Sequence, residues 1–357
     1  MIQKYRAVIT VSALLFLFVF AACSKTGNTA QTAKELKRFD LPFQPTGYTN
    51  ILFVIAKEEG YYAETGLDVQ FTPLNGSSMD LVTAAVTGKV KAATYGGTAT
   101  PLTLAEGGAD LVIIGGVMSE GATLVTTPEN LSKWPDFSET TVAGKKIAIT
   151  RVNNGDITFR RYLKRNGVDI SKISVIELDS PPTIIEAVKK GEVDAGIVYV
   201  FFRKVAETQG LSTIKHIDEL VPEGYVCCRI TTTKKELNEN RSDYVNLLKG
   251  NIRAYKIFRD DPEKTLEIAT RYYDVDTAVL KNEFYEYGHL GFSPDPAKKR
   301  IEDFYEGMTQ IGYSSGTLDV SRHVDTSIYR DALDQVLAEY PGESAYLELD
   351  KHFAVNN

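Results

Sequence analysis

The chain has 357 residues, 43% of them hydrophobic and 24% charged, with a formal net charge of −7 at neutral pH. That length exceeds one ordinary hydrophobic core and predicts about two domains. The acidic balance, with no dense Lys/Arg block beyond the first few residues, argues against nucleic acid as a partner.

Lys4 and Arg6 precede an apolar run of about 14 residues, 7–20, that ends in Phe20-Ala21-Ala22-Cys23. The run is shorter than the roughly 20 residues of a permanent membrane-spanning helix, so residues 1–22 read as an export signal. A cysteine directly after two small residues resembles a bacterial lipobox, in which Cys23 is lipidated and becomes the new N-terminus; a plain secretory signal is the alternative. The expected location is outside the cytoplasm, lipid-anchored at the bacterial cell membrane on its periplasmic or extracellular face. Residues 23–34, rich in Ser, Thr, Gly, Gln and Asn, read as a flexible tether. Loss of Lys4 and Arg6 leaves a still more acidic body.

Alternation over Leu36–Phe43 predicts a first strand, and Gln44-Pro45-Thr46-Gly47-Tyr48-Thr49-Asn50 leads from its carboxyl end to a helix that starts near Ile51 and closes at Gly60. Gly66–Phe71 alternates with period two, a second strand. Asn75-Gly76-Ser77-Ser78 follows, and Ser77 with Asp80 forms a capping-box pattern at a helix start. The stretch Ala84–Thr100, AAVTGKVKAATYGGTAT, then holds a helix end at Gly88, a small buried strand at Val90, Ala92 and Ala93, and an exit through Gly96, Gly97 and Thr98 onto the next helix. Helix starts at the carboxyl ends of strands present unpaired N–H groups, a place to bind a ligand. Residues 187–196 echo this pattern, which reports either two related lobes or a junction common to α/β proteins.

Asp110–Met118 is nearly continuous in apolar residues, as a strand buried on both faces is. Ala122–Thr127 is a further extended run, and a crossing out of the first lobe is placed near residue 127. Gly144–Thr150 predicts a strand, Arg151-Val152-Asn153-Asn154-Gly155-Asp156 a loop, and a helix follows to about Asn166. Val175–Leu178 is a strand, Pro181 and Pro182 start a helix, and Gly191 precedes the strand carrying Tyr199. Tyr225–Thr232 reads as a strand returning to the first lobe. Its adjacent Cys227 and Cys228 are poorly placed to bridge each other. From Lys234 the pattern is helical, with Tyr244, Leu247, Leu248, Ile252, Tyr255 and either Ile257 or Phe258 as one apolar stripe, and residues 345–357 are expected to attach loosely.

The run Ile55-Ala56-Lys57-Glu58-Glu59-Gly60-Tyr61-Tyr62-Ala63-Glu64-Thr65-Gly66-Leu67-Asp68-Val69 resembles a segment of the nitrate/sulfonate/taurine and thiamine-precursor binding proteins of ABC importers. The likeness continues through residues 85–92, 144–148 and 187–195. It implies an α/β fold of periplasmic binding protein type II, with two lobes, two hinge crossings and a helical C-terminal part. The expected boundaries are residues 35–126 and 227–357 for lobe I and 127–226 for lobe II. It also implies a monomeric receptor that closes over a small molecule and docks on a permease with its ATPase.

Ligand contacts from lobe I are expected at Gln44, Tyr48, Thr49, Asn50, Asn75, Ser77, Ser78, Gly97 and Thr98, with capping and turn formation as the alternative role. From lobe II they are expected at Arg151, Asn153, Asn154, Gly155, Asp156 and Tyr199. Arg151 could pair with a carboxylate, sulfonate or phosphate, or bond Asp156 instead. Glu120 and Asp156 would repel an anion unless paired with Arg151, so aminosulfonate-like and pyrimidine-like ligands both stay open. No cofactor and no catalysis are expected. His216, His289, His323 and His352 are scattered without metal-ligand spacing, and no G-x-S-x-G, P-loop or Rossmann fingerprint occurs. A sensory receptor and, more remotely, a pyrimidine-forming enzyme with a cysteine-rich iron site are the other readings; Tyr225-Val226-Cys227-Cys228-Arg229 is a faint partial likeness to that site.

Overall fold

The computed structural model describes residues 35–357 apart from Asn75 and Arg151. The expected signal, tether and Cys23 lie outside the described residues. Strand β1 (Lys37–Phe43) pairs in parallel with β2 (Leu67–Pro73), Lys37 opposite Leu67. The connection is helical, and Gly60, at φ 73°, breaks it where a side chain would be strained. Strand β3 (Leu111–Glu120) pairs antiparallel with β9 (Val226–Thr233) on one side and β10 (Leu290–Phe292) on the other. Residues 91–93 join these two small sheets into one layer. Lys91 N–H donates to the Asp40 carbonyl at 2.8 Å, and Ala93 exchanges bonds with Thr231 at 2.8 and 2.9 Å. The strand expected at Val90–Ala93 is therefore only a bridge, although all its apolar residues are buried.

The second sheet has the order β6-β5-β7-β4-β8, built from β4 (Ala122–Thr126), β5 (Lys146–Thr150), β6 (Ser174–Leu178), β7 (Ala195–Tyr199) and β8 (Ser212–His216). Period-two alternation divides its side chains. Ile147, Ile149, Leu124 and Ile197 pack with Phe159 and Leu163 of the helix Asn154–Arg165. Ala148, Val125 and Val198 face Ile184, Ile185 and Val188 of the helix Pro181–Lys189. Since β4 pairs with β7 and β8, the crossing expected near residue 127 falls instead at Glu120–Ala122. The chain returns before β9, which starts at Val226.

Two corrections concern the C-terminal part. A short strand, β10, interrupts the expected helices. The final helix, Ser344–Asn356, is docked rather than loose: Ala345, Tyr346 and Leu349 are buried in the first core. Asn357 adds side-chain bonds to Asp295 at 2.7 Å and to the Lys298 amide at 2.9 Å. The stripe on Arg241–Asp260 is buried as the spacing predicts, with Phe258 as its last member and Ile257 half-buried.

The two crossings lie side by side and share one residue. The Tyr225 carbonyl accepts from Glu120 N–H at 3.2 Å, its own N–H donates to Glu120 Oε1 at 3.2 Å, and its hydroxyl accepts from Ala122 N–H at 2.9 Å. Glu120 and Val200, neither of them glycine, take φ of 63° and 47° there, a strain that surrounding bonds must hold. Val200 N–H is fixed by the Gly121 carbonyl at 2.8 Å.

Burial pushes the Glu120 carboxyl up to about 7, with Arg300 and Arg229 pulling it down. The folded chain thus holds this proton more tightly than the unfolded one. Glu120 subtracts nothing below its ordinary value of 4.5 and progressively more stability as pH rises through 7. Glu120→Gln is expected to exceed the wild type in stability by about 2 kcal/mol at pH 8 and to match it at pH 4, as read from urea midpoints; parallel pH profiles would refute this. A second expectation concerns packing. A Cβ at Gly116 would lie 2.1 Å from the Asp295 carbonyl oxygen and 2.4 Å from that of Ser293, both backbone atoms. Gly116→Ala should therefore lower stability by about 1–3 kcal/mol, and an unchanged midpoint would show that the 293–295 segment yields freely.

Candidate functional site

The helix Ala99–Glu106 starts just after Gly97 and Thr98, and the helix Asn154–Arg165 just after β5. These two starts, one from each sheet, touch. Asn154 Oδ1 accepts from the Ala99 amide at 3.2 Å, and its Nδ2 donates to the carbonyls of Val226 and Cys227 at 2.9 and 3.0 Å. Thr98 Oγ1 donates to the same Cys227 carbonyl at 2.7 Å. Gly97, at φ 92°, passes so close that a Cβ would lie 3.1 Å from Asn154 Oδ1. Ile157, one turn on, packs among Ala99, Leu102, Val226 and Phe304.

Beside this contact stand two thiols, Cys227 and Cys228, with Sγ atoms 3.3 Å apart. The neighbouring Cys227 thiol and the amides of Gly97 and Gly96 hold Cys228 below its ordinary value against burial. Cys227 goes the other way, raised by the Cys228 thiol and by burial. Tyr199, at the end of β7, has its hydroxyl 3.4 Å from Thr150 Oγ1, and Thr150 Oγ1 accepts from Asn153 Nδ2 at 3.1 Å.

The expected residues divide into those the fold brings together and those it employs elsewhere. Gly97, Thr98 and Asn154 meet directly, with Asn153 and Tyr199 adjoining. Asn153 also caps its helix, accepting from Asp156 N–H at 3.1 Å. Gly155 is a packing residue, since a Cβ there would sit 2.3 Å from that of Ala122. Asp156 is buried and paired with Arg160, whose Nε lies 3.0 Å from both carboxylate oxygens. Burial raises its pKa while Arg160 opposes the rise. Asp156 thus has an i,i+4 partner within its own helix; Arg151, like Asn75, lies outside the described residues.

On the first sheet's side, Ser77 and Asp80 form the capping box and remain exposed. Ser78 backs Gly96. Asn50 is buried and donates to the Pro42 carbonyl at 3.0 Å. Gln44 and Thr49 are half-buried in the loop after β1, and the Gln44 carbonyl accepts from Gly47 N–H at 3.1 Å. Tyr48 is fully buried against the edge of Phe284 and beside Glu283, its pKa raised chiefly by burial.

That loop touches a second set of contacts between the sheets, which sequence reading missed. Arg203, on the helix Phe201–Thr208 after β7, forms a buried ion pair with Glu283. Its guanidinium also lies 3.9 Å from the ring centre of Tyr287. The Tyr287 hydroxyl is 2.7 Å from His216 Nδ1, and burial, with His289 nearby, pushes His216 down to about 4. On the opposite side Arg161 pairs with Asp303, its Nη2 2.6 Å from Oδ1, and Val152 N–H donates to the Tyr313 hydroxyl at 2.9 Å. Charged residues on helices that flank a glycine- and asparagine-rich junction are the signal that was available for these pairs. A cavity of about 430 Å³ opens behind the crossings, lined in part by Glu120, Arg229, Phe258, Phe292 and Arg300; none of the expected site residues among the described ones lines it.

A family model described as NMT1/THI5 like matches residues 49–265. A Brucella abortus protein named "Putative binding protein BAB2_1146" is 26% identical over 143 residues, 39% of this chain and 44% of that protein. The chain thus spans under half the length of the curated relative it matches. Among solved structures, the ligand-binding component of an ABC-type import system from Staphylococcus aureus, with zinc bound, superposes with a TM-score of 0.69 at 15% identity, over 83% of this chain and 99% of that one. The periplasmic nitrate-binding protein NrtA from Synechocystis PCC 6803 superposes at 0.68 and 16% identity, over 88% and 93%. The desulfurization enzyme DSZB does so at 0.58 and 12%, over 84% and 99%. At these identities the likeness is one of fold alone. The matched segment runs from the loop after β1, through β2 to β9 and both helix starts that meet at Asn154, and by it the chain belongs to the NMT1/THI5 like family, with the two-lobed α/β fold of periplasmic binding proteins.

Proposed function

We propose that this chain is the exported solute receptor of an ABC importer, lipid-anchored through Cys23, handing its ligand to a permease and ATPase. In this reading it binds a small polar or anionic organic molecule, such as a sulfonate, taurine or nitrate, between two lobes and without chemistry. The observation that carries the proposal is the meeting of two helix starts, from different sheets, at Asn154 and Gly97–Ala99. Backbone amides at helix starts favour anions, and a guest that contacts both lobes stabilises their closed arrangement. Pairing of Asp156 with Arg160 removes the repulsion that an unpaired carboxylate would exert on an anion. A nitrate-binding protein sharing the fold is in keeping with such a guest.

A heteroaromatic guest of the pyrimidine kind is the second reading, favoured by two half-buried aromatic rings next to the junction in sequence or contact, Tyr95 two residues before Gly97 and Tyr199 beside Thr150. A desulfurization enzyme also shares the fold, so binding without turnover is part of the proposal rather than a consequence of architecture.

A thermal-shift screen across sulfonates, nitrate and pyrimidines separates these readings, because a ligand at 100 times its Kd adds about 2.7 kcal/mol to stability. Stabilisation by anions and not by pyrimidines is expected; the reverse pattern favours the heteroaromatic guest, and no shift with any class removes both. Arg151→Ala should weaken the anion found by about tenfold, the scale of one charge-assisted bond. Unchanged affinity by calorimetry would take Arg151 out of the site. For the anchor, Cys23→Ser should abolish incorporation of labelled fatty acid and leave residues 1–22 attached, whereas normal labelling would refute lipidation there.

A further inference from the structure

Beside the crossings, three side chains of metal-ligating type converge from two parts of the fold. His216 ends β8 of the second sheet, and Glu219 stands in the turn Ile217–Leu220 that follows it. His289 immediately precedes β10, whose Leu290 pairs with Glu120 of the first sheet. One ligand atom from each of the three lies within 4.8 Å of the other two. Tetrahedral zinc with bonds near 2.0–2.1 Å places its ligand atoms roughly 3.4 Å apart, a difference that rotation of surface side chains can close. The two imidazole rings already lie face to face, with centroids 3.9 Å apart.

The surroundings orient these rings as ligands. Asp218 Oδ2 holds His289 Nδ1 at 2.7 Å. The hydroxyls of Tyr287 and Thr123 hold His216 Nδ1 at 2.7 and 3.0 Å. Each ring is thus anchored through Nδ1, which leaves Nε2 for a further partner; that of His289 is 3.9 Å from Glu219 Oε1. Metal-bound histidines characteristically have their other nitrogen held in this way by a carboxylate or another polar group. The second Asp218 oxygen, Oδ1, is buried without a hydrogen-bond partner. A lysine, Lys215, pairs with Glu219 and would have to release it. Spacing along the chain could not reveal this group, since its histidines reach it from different sheets; His216 and His289 are not the scattered residues they were read as.

We propose that His216, Glu219 and His289 form a binding site for a divalent transition metal, zinc by ligand type, that staples the second sheet to β10 of the first beside the crossings. Two imidazoles and one carboxylate leave a fourth position open to water. Because the ligands belong to both sheets, the site is complete only when the sheets stand in this relation, so the ion adds its binding free energy to that arrangement. The inference rests on this cluster alone and stands apart from the identity of the solute.

The test is calorimetric titration of the chelator-treated full chain with Zn²⁺. One saturable equivalent is expected, with affinity at least tenfold lower in His216→Ala, His289→Ala and Glu219→Gln and unchanged in His352→Ala. Cobalt in place of zinc should give the intense visible bands of tetrahedral coordination, and His289→Ala should abolish them. Absence of saturable uptake by the wild type, or a His216→Ala/His289→Ala chain that binds as tightly, overturns the proposal. Should the histidine variants fail to fold, Glu219→Gln decides, since Glu219 is exposed; unchanged zinc affinity there overturns it equally.

Discussion

Tyr225 is the residue on which the two-sheet arrangement depends. Through its amide, carbonyl and hydroxyl it ties Glu120 and Ala122 to the returning chain, so both crossings run through one point. Two sheets joined at one point can change their mutual angle but not their register. What sets the angle is the contacts on either side: Arg161 with Asp303 on one flank, Arg203 with Glu283 on the other, and Asn154 between them. These are mostly polar. A buried ion pair gains little over its hydrated partners, because desolvation offsets most of the Coulomb attraction, whereas apolar surface is lost to water at about 25 cal/mol per Å². A junction rich in charge and poor in hydrophobes therefore separates at far lower cost than either sheet's own core. Ile157, packed among Ala99, Leu102, Val226 and Phe304, and Val200, buried in the first core with Tyr199 and Phe201 against it, are apolar exceptions.

Much of this was legible wherever one short segment carried the whole signal. The Ser77–Asp80 capping box, the Pro181 helix start and the strand alternation in 146–150 depend on neighbours within a turn or two, and each appears in the structure. The first crossing lies earlier than expected because β3 and β4 are both apolar and the turn between them, with Glu120 and Gly121 at φ of 63° and 91°, looks the same in sequence whether the chain stays in one sheet or leaves it; only the pairing of β4 with β7 and β8 assigns it to the second. The docked C-terminal helix was legible after all, since Ala345, Tyr346 and Leu349 lie on one face at helical spacing. The Arg160 partner of Asp156 was legible too, being an i,i+4 pair on one helix. Other contacts could not be read from one dimension: Arg203–Glu283, His216–His289 and Asn154–Ala99 join segments that only the tertiary fold brings together.

The chemistry of the junction at Asn154 follows from which donors are already engaged. The Ala99 amide is met by a neutral amide oxygen, that of Asn154, and the amides of Gly96 and Gly97 face the Cys228 thiol. A guest presenting carboxamide-like oxygens would exchange one neutral acceptor for another and gain little. An anion changes the balance, because hydrogen bonds to a charged acceptor are about twice as strong as neutral ones, and the buried acid on the same helix as Asn154, Asp156, is already compensated by Arg160. Under the proposed function, selectivity for anions thus needs no dedicated pocket of charges. It arises from competition, in which the protein's own neutral acceptors set the threshold that a guest must exceed before the two lobes are better joined through it than through Asn154.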